Sequence, residues 1–392
     1  MPWKSVSIME NRREFVRLAL QGGVSVAELS RRFGISRQTG FTLLRRHREE
    51  GDKGLEDRSR RPHSSPRRSP DAVEIKVLAL RKENTDWGGR KLSRRLKDIG
   101  TEGVPAPSTI TEILRRHGKL DPAEAAKHRP VQRFERPAPN DLWQMDFKGH
   151  VAMDHGRCHP LTVLDDHSRY ALGLAACGDE TLDTVQRQLS GVFRRHGLPL
   201  GILCDNGSPW GGSGSAGPTA FEVWLMRVGV RVHHGRPYHP QTQGKDERFH
   251  RTLKVGLLQG RRLVDLDRAQ VAFDAWRRKY NEERPHEALS LDVPASRYRV
   301  SPVCFPETLP APEYYSADHV RRVSHDGAVR FRGRRLKISQ AFAGMDVALR
   351  PGGTDDIWHL FFLRFGIYEV DLRASDGGPA MICPLTRRLS PV

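Results

Sequence analysis

Three acidic residues stand where their chemistry needs an explanation. Asp146 lies inside the apolar run WQMDF, in which alternation with period two sets Trp143, Met145 and Phe147 on one face and Gln144 with Asp146 on the other. A carboxylate in such a strand carries a desolvation penalty unless something positive compensates it. Asp205 ends the run GILCD, just before Asn206 and Gly207 turn the chain and leave the carboxylate at a sheet edge. Glu247 falls one turn into a helical pattern that opens near Gly244. Carboxylates converging from a strand centre, a strand end and a helix start repel one another, and they stay ionised only around a divalent cation. Hard oxygen donors with open positions suit Mg2+ or Mn2+. Two such ions ~3.5–4 Å apart clamp the attacking and leaving oxygens of a phosphodiester displacement. Asp205 and Glu247 also have ordinary readings, as a turn residue and as a first-turn acid offsetting the helix dipole. Asp165 and Asp166, in TVLDDHSRY, compete for a metal role but read better as strand-end and turn acids, with Asp166 accepting a hydrogen bond from Ser168.

The elements around these acids are legible in outline. From Asn140 onward, LWQMDFKGHV, HPLTVLDDHS and RYALGLAAC read as strands, followed by the helix LDTVQRQLSGVFRRHG. The strand LGILCDNG, the helix AFEVWLMRVG, the strand VRVHHGRP and the helix QGKDERFHRTLKVGLLQG complete the series. Three strands in a meander, then alternating helices and strands, imply a mixed sheet covered on both faces, in RNase H-like order.

The positive charge is uneven. The chain of 392 residues has a net charge of +18, of which residues 1–130 carry +12 and the rest +6. Such a charge points to a polyanion. A membrane is excluded as that partner, since no run approaches the ~18–20 apolar residues of a bilayer span. Five scattered cysteines without a CxxC pair suit a reducing cytosol. Within the basic third, Phe15, Leu18 and Leu20 mark one helix and Val26, Leu29 and Phe33 a second, with Gly34 as its C-terminal cap. Ser36 then caps a third helix, and Arg37, Gln38 and Thr39 stand at its exposed start, where side chains reach base edges. Gly40 fits that helix-turn-helix poorly, and Phe41 is expected to supply the missing packing. The stretch RSRRPHSSPRRSP, with Arg58, Arg60 and Arg61 at its start, reads as an extended linker able to follow a phosphate backbone or simply to tether. A second trio of helices follows to about Leu120, its last helix beginning at Ser108 with Thr109 and Thr111 at its head.

Taken together, WQMDF, VLDDHSRY, CDNG and RPYHPQTQGKDERFHRTLK resemble the catalytic core of retroviral integrases and integrase-like DDE transposases. With the tandem helix-turn-helix front end, the chain resembles transposases of bacterial insertion-sequence family 481, relatives of family 3, over about residues 10–300. The resemblance implies that Asp146, Asp205 and Glu247 bind two divalent ions, with Mg2+ or Mn2+ as cofactor. It implies a basic contact to the element's terminal DNA from Lys254, seven residues after Glu247; helical geometry sets Glu247, Arg251 and Lys254 on one face. Two departures accompany it. Asp205 and Glu247 are separated by 41 residues, longer than is typical, which the glycine-rich 211–218 stretch accommodates. Helix-turn-helix units also replace the zinc module of viral integrases.

The fold expected is multidomain α+β. Residues 1–57 form a helix-turn-helix unit, 58–70 a basic linker, 71–125 a second helix-turn-helix or winged-helix unit, 138–300 the RNase H-like core, and 318–392 a small β-barrel. Arg330, Arg332, Arg334 and Arg335 would give that barrel a basic face. YNEERPHEAL, a further family-like motif, is expected to brace the core, with Arg277, Arg278 and Lys279 either on DNA or on a solvated face. The function implied is binding of the terminal inverted repeats, then metal-dependent cleavage and strand transfer into target DNA. A homo-oligomer on double-stranded DNA, in the bacterial cytoplasm at the nucleoid and apart from membranes, would carry it out. The alternative is a transposase-derived DNA-binding regulator that is catalytically silent.

Overall fold

The structure, a computed structural model, describes residues 7–58, 68–120, 135–211, 217–235, 244–354, 356–373 and 381–385. The chain divides into two compact units, Met1–Arg68 and Ser69–Val392. In the first, Ser7 caps helix α1 (Ile8–Gln21) reciprocally with Glu10, satisfying two amides at the helix start. Helix α2 (Val26–Arg32) starts from Ser25, and α3 (Arg37–Glu50) from Ser36, whose hydroxyl accepts from the Thr39 amide at 3.1 Å. Gly34, at φ 65°, makes the left-handed turn between them.

The core of this unit is Phe15, Val16, Leu29, Leu43, Leu44 and Leu55. Three expectations fail in this unit. Leu20 is 56% exposed, because it lies about 140° around the helix from Phe15, outside the stripe that Phe15 and Val16 define. Gly40 is no misfit: a Cβ there would lie 2.6 Å from Ser30 Oγ and 2.8 Å from Phe15 Cζ, so the bare backbone lets α3 close on α1 and α2. Phe41 does not fill that gap. It is half exposed, with the Arg37 guanidinium 5.6 Å from its ring centroid.

The second unit opens with α4 (Asp71–Glu83), α5 (Gly89–Asp98) and α6 (Pro107–Arg116), packed around Val77, Trp87, Leu92, Leu96, Ile110, Ile113 and Leu114. Helix α6 begins one residue before Ser108, and its N-cap, Ala106, has no side chain to accept an amide. The mixed sheet follows. Strand β3 (Arg157–Asp165) lies antiparallel between β1 (Trp143–Phe147) and β4 (Ala171–Cys177), with the short β2 (Val151–Ala152) also paired to β3. On the other side β1 is parallel to β5 (Gly201–Cys204), and β5 to β6 (Arg231–His234). Helices α7 (Leu182–His196) and α8 (Ala220–Arg227) bury Val185, Phe193, Phe221 and Leu225 against Trp143, Met145 and Leu161. Helices α9 (Gly244–Leu253) and α10 (Leu266–Glu282) cover the opposite face through Phe249, Leu253, Phe273 and Tyr280. This is an integrase-like RNase H core.

The C-terminal part is a five-stranded antiparallel sheet in the order β13 (Met381–Pro384), β12 (Phe365–Asp371), β11 (Ile357–Phe362), β10 (Asp346–Pro351), β7 (His319–Arg322). Strands β8 (Ala328–Phe331) and β9 (Arg334–Lys337) form a separate hairpin. The expected barrel is therefore not closed among the described residues: β8 and β9 pair only with each other, and β7 and β13 remain edge strands. The sheet instead finds its apolar partner in α8, whose Val223 and Met226 join Trp358, Leu360 and Phe362 in one core.

Candidate active site

The alternation in WQMDF survives folding: Trp143 and Met145 enter the α7–α8 side, while Asp146 turns toward His250 of α9 and Gln144 toward Asp166. The parallel register pairs Trp143 with Ile202 and Gln144 with Leu203. Continued by two residues, it brings Asp146 beside Asp205, which follows the last residue of β5. The two carboxyls interact electrostatically. Burial first, and Asp205 second, push the Asp146 carboxyl up to about 6. The buried Cys204 thiol is pushed far up by burial and by Glu222, Asp205 and Asp146, so negative charge is concentrated at this edge.

The neighbouring side chains hold these acids in place. Thr162, opposite Asp146 in the β1–β3 register, donates to the Asp146 main-chain carbonyl at 2.9 Å. Its hydroxyl also lies 2.9 Å from Nε2 of His250, whose Nδ1 is 3.9 Å from an Asp146 carboxylate oxygen. Burial lowers the His250 imidazole to about 4, so it is neutral at pH 7. At Asp205 the carboxylate accepts from the Gly207 amide at 3.0 Å, and the main-chain carbonyl accepts from His234 Nδ1 at 2.7 Å. The other nitrogen of His234 lies 3.0 Å from the buried Glu222.

Glu247 is exposed on α9, as are Arg251 and Lys254, which follow it along the helix and into a π turn, Lys254–Leu258. It is not drawn into a cluster with the two aspartates: among the described residues no group of three or more His, Cys, Asp or Glu is close enough to hold a metal ion. Asp246 turns inward in its place. It is 1% exposed, both its carboxylate oxygens lack a hydrogen-bond partner, and burial together with Asp146 and Asp166 pushes it well above the usual carboxylate range. Sequence reasoning passed over it, although Asp246, Phe249, His250 and Leu253 follow i, i+3, i+4, i+7 spacing, and all four are buried.

The roles of the acidic pair after β3 are exchanged relative to expectation. Asp165, not Asp166, accepts from Ser168, at 2.8 Å from its amide and 2.6 Å from its hydroxyl, because Asp165 is the first residue of that turn. Asp166 points to the α9 side, accepting from Gln144 Nε2 at 2.7 Å, the Arg136 amide at 2.8 Å and Lys245 Nζ at 2.5 Å. This buried pair fastens the start of α9 to the end of β3.

The nucleic-acid candidates lie away from the acids. Arg37, Gln38 and Thr39 are exposed at the head of α3, and Ser108 and Thr109 at the head of α6. Arg58 is paired with Glu50. Arg60 and Arg61, and residues 238–243 before α9, lie outside the described residues. Of the C-terminal arginines, Arg330, Arg332 and Arg335 are exposed; Arg332 stacks 4.5 Å above Trp358, and Arg335 pairs with Asp326.

Comparison with known proteins follows the same division. Residues 136–240 and 228–294 match two profiles described as integrase core domain, residues 11–63 a helix-turn-helix domain and residues 39–114 a homeodomain-like domain. Residues 318–377 match the C-terminal domain of IS481 family transposases. A 31.7 kDa protein of insertion element IS407 from Burkholderia multivorans is 27% identical over 62% of this chain and 89% of its own length. A 39.2 kDa protein of insertion element IS476 from Xanthomonas euvesicatoria is 25% identical over 70% of this chain and 78% of its own. Among solved structures, the HTLV-2 integrase catalytic core domain in complex with magnesium matches at 18% identity and a TM-score of 0.32, over 42% of this chain and 99% of that one. The integrase core, the helix-turn-helix domains and the C-terminal domain together give this chain the domain set of an IS481-family transposase.

Proposed function

We propose that this transposase binds double-stranded DNA at the terminal inverted repeats of its insertion sequence, nicks the element end, and joins the freed 3′-OH to a target phosphodiester. The observation that carries the reading is the pairing of Asp146 with Asp205, two carboxyls held side by side at one sheet edge with Asp146 pushed up to about 6. Such a pair is unfavourable without a cation, and hard oxygen donors fit Mg2+ or Mn2+. Asp146 and Asp205 would hold the ions, with Glu247 completing the set from α9. When bound, two divalent ions supply charge stabilisation to the attacking and leaving oxygens of an in-line displacement.

The chain's own groups do the positioning. Thr162 and the neutral His250 fix the Asp146 strand, His234 fixes the Asp205 turn, and the Lys245–Asp166 pair anchors the helix that carries Glu247. Arg37, Gln38 and Thr39 on α3 would read bases, as would Ser108 and Thr109 on α6. Arg58, Arg60 and Arg61 in the linker, with Arg251 and Lys254 beyond Glu247, would contact phosphates. Cleaving and joining two ends requires two active sites, so the working form is a homo-oligomer on DNA. The setting is the bacterial cytoplasm at the nucleoid; no described helix is long and apolar enough to cross a membrane.

The test is a cleavage and strand-transfer assay on labelled element ends with Mg2+ or Mn2+. Asp146→Asn, Asp205→Asn and Glu247→Gln should each bind DNA and lose roughly 10²–10³-fold or more of the activity. Asp246→Asn is the discriminating control: loss there with Glu247→Gln still active would transfer the third carboxylate to Asp246. Binding by every protein with cutting by none, wild type included, would make this copy a silent DNA-binding regulator.

A further inference from the structure

Helix α5 carries Arg90, Lys91, Arg94, Arg95 and Lys97 against one acid, Asp98. In a module that only reads DNA, such a face would be turned to phosphate. Here it is turned to the catalytic body. Arg94 pairs with Asp292 at 3.1 Å, Arg95 with Glu283 at 2.8 Å, and Arg90 lies 3.9 Å from Glu287. In the opposite sense, Arg284, 9% exposed, reaches Asp86 in the turn before α5. Burial, with Arg284 next, lowers the Lys91 ammonium to about 8.

The acidic segment that receives α5, residues 282–292, is continuous with the site. Tyr280 at its head stacks edge-on against Phe249 of α9 at 4.9 Å and against His286 at 4.7 Å. Asn281 donates to the main-chain carbonyl of Ala171 at 3.0 Å and accepts from its amide at 2.8 Å, tying the segment to the edge strand β4. Ser108 and Thr109, at the head of α6, are exposed and take no part in these pairs.

We propose that the α5 joint is a register clamp. It holds the second DNA-reading module at a fixed offset from the catalytic acids, so that the distance along the DNA from the bases read by α6 to the phosphodiester cut is set by Arg94, Arg95 and Arg284 and their acidic partners. These are positioning residues, and the assignment rests on the function proposed above. The clamp leaves α6 free to meet DNA while α5 is engaged.

The test uses the full chain and two double variants that break the same pairs from opposite sides, Arg94→Glu/Arg95→Glu and Glu283→Arg/Asp292→Arg, with the four substitutions combined to restore them. All lie at least partly exposed, so folding is not at stake. On element-end DNA the wild type should cut at one phosphodiester. Each double variant should spread its cuts over neighbouring positions, with the yield at the original one falling roughly ten- to a hundredfold, and the combination should recover it. Unchanged cut positions in both double variants would overturn the clamp. So would a defect confined to the α5 variant and not rescued by the combination, which would assign those arginines to DNA.

If the wild type does not cut at all, the functional reading fails while the clamp is still read by hydrogen exchange without DNA. Amides of 283–292 and α5 should exchange faster in each double variant and regain protection in the combination. Exchange unchanged in both would overturn it.

Discussion

Two three-helix modules precede the catalytic sheet, and they solve the same packing problem in different places. In the first, the bare backbone lies on α3, the helix expected to read DNA: Gly40 faces Ser30 and Phe15. In the second it lies at the start of α5, where a Cβ on Gly89 would be 2.4 Å from the Pro107 carbonyl oxygen and 2.4 Å from Thr111 Oγ1. The basic residues differ too. Arg12, Arg13 and Arg17 on α1 pair within their own module, whereas α5 gives Arg94 and Arg95 to the catalytic body. The first module keeps these arginines for its own acids, and the second gives two of its own to the segment after α10.

The sharpest way to break that comparison is at the two glycines. Gly89→Ala forces a methyl into main chain, which cannot yield, so the loss should reach about 3 kcal/mol and should loosen the α5–α6 contact. Gly40→Ala meets the ends of two side chains, a serine and a phenylalanine, which can shift where main chain cannot; about 1–2 kcal/mol is expected, confined to the first module. Thermal unfolding followed by hydrogen exchange separates the two. Protection lost around the acids in Gly40→Ala, or retained there in Gly89→Ala, would remove the distinction.

The body on which the second module is docked carries a burden of its own. Asp146 has a folded-state value of about 6 against an ordinary 3.8, so ionising it opposes folding. Stability from this group is complete below pH 3.8 and falls as pH rises through about 6, by about 2–3 kcal/mol in all. Asp146→Asn, free of divalent ions, should therefore be more stable than wild type by that amount at pH 7 and equal to it below pH 4. Mg2+ should stabilise the wild type and leave the variant unmoved. A variant no more stable at pH 7 would mean that Asp146 is not desolvated beside Asp205.

What was legible in the sequence followed from short-range rules. Ser36 as a cap, Gly34 as a left-handed turn, the two faces of WQMDF and the order of strands and helices all depend on neighbours a few residues away. What was not legible depended on the partner across space. Asp246 passed as one more polar residue in GKDERFH until Phe249, His250 and Leu253 placed it on the buried stripe. The exchange of roles between Asp165 and Asp166 turned on which of two adjacent acids lay first in a four-residue turn. Gly40 looked like a defect because Phe15 and Ser30, which occupy its missing side-chain volume, belong to other helices. The open C-terminal sheet was hidden for the same reason: alternation marks strands without saying whether the last pairs with the first. The docking of α5 rests on pairs such as Arg94 with Asp292 and Arg284 with Asp86, nearly two hundred residues apart.

The smallest test sharpens the comparison at the reading heads themselves. Helix α3 is capped by Ser36, and α6 by Ala106, whose extended backbone at φ −58° and ψ 149° resembles that of Ser36 at φ −67° and ψ 150°. Ser36→Ala should cost about 1 kcal/mol, and Ala106→Ser should add about the same, because a hydroxyl there can cap a helix start that has no side-chain cap. If α6 is held by the α5 joint as argued, the gain at Ala106 should appear in thermal unfolding without changing hydrogen exchange of α5. The loss at Ser36, in a module that stands on its own small core, should instead raise exchange through α3 as a whole. Equal local responses in the two modules would mean that docking lends the second no rigidity beyond its own packing.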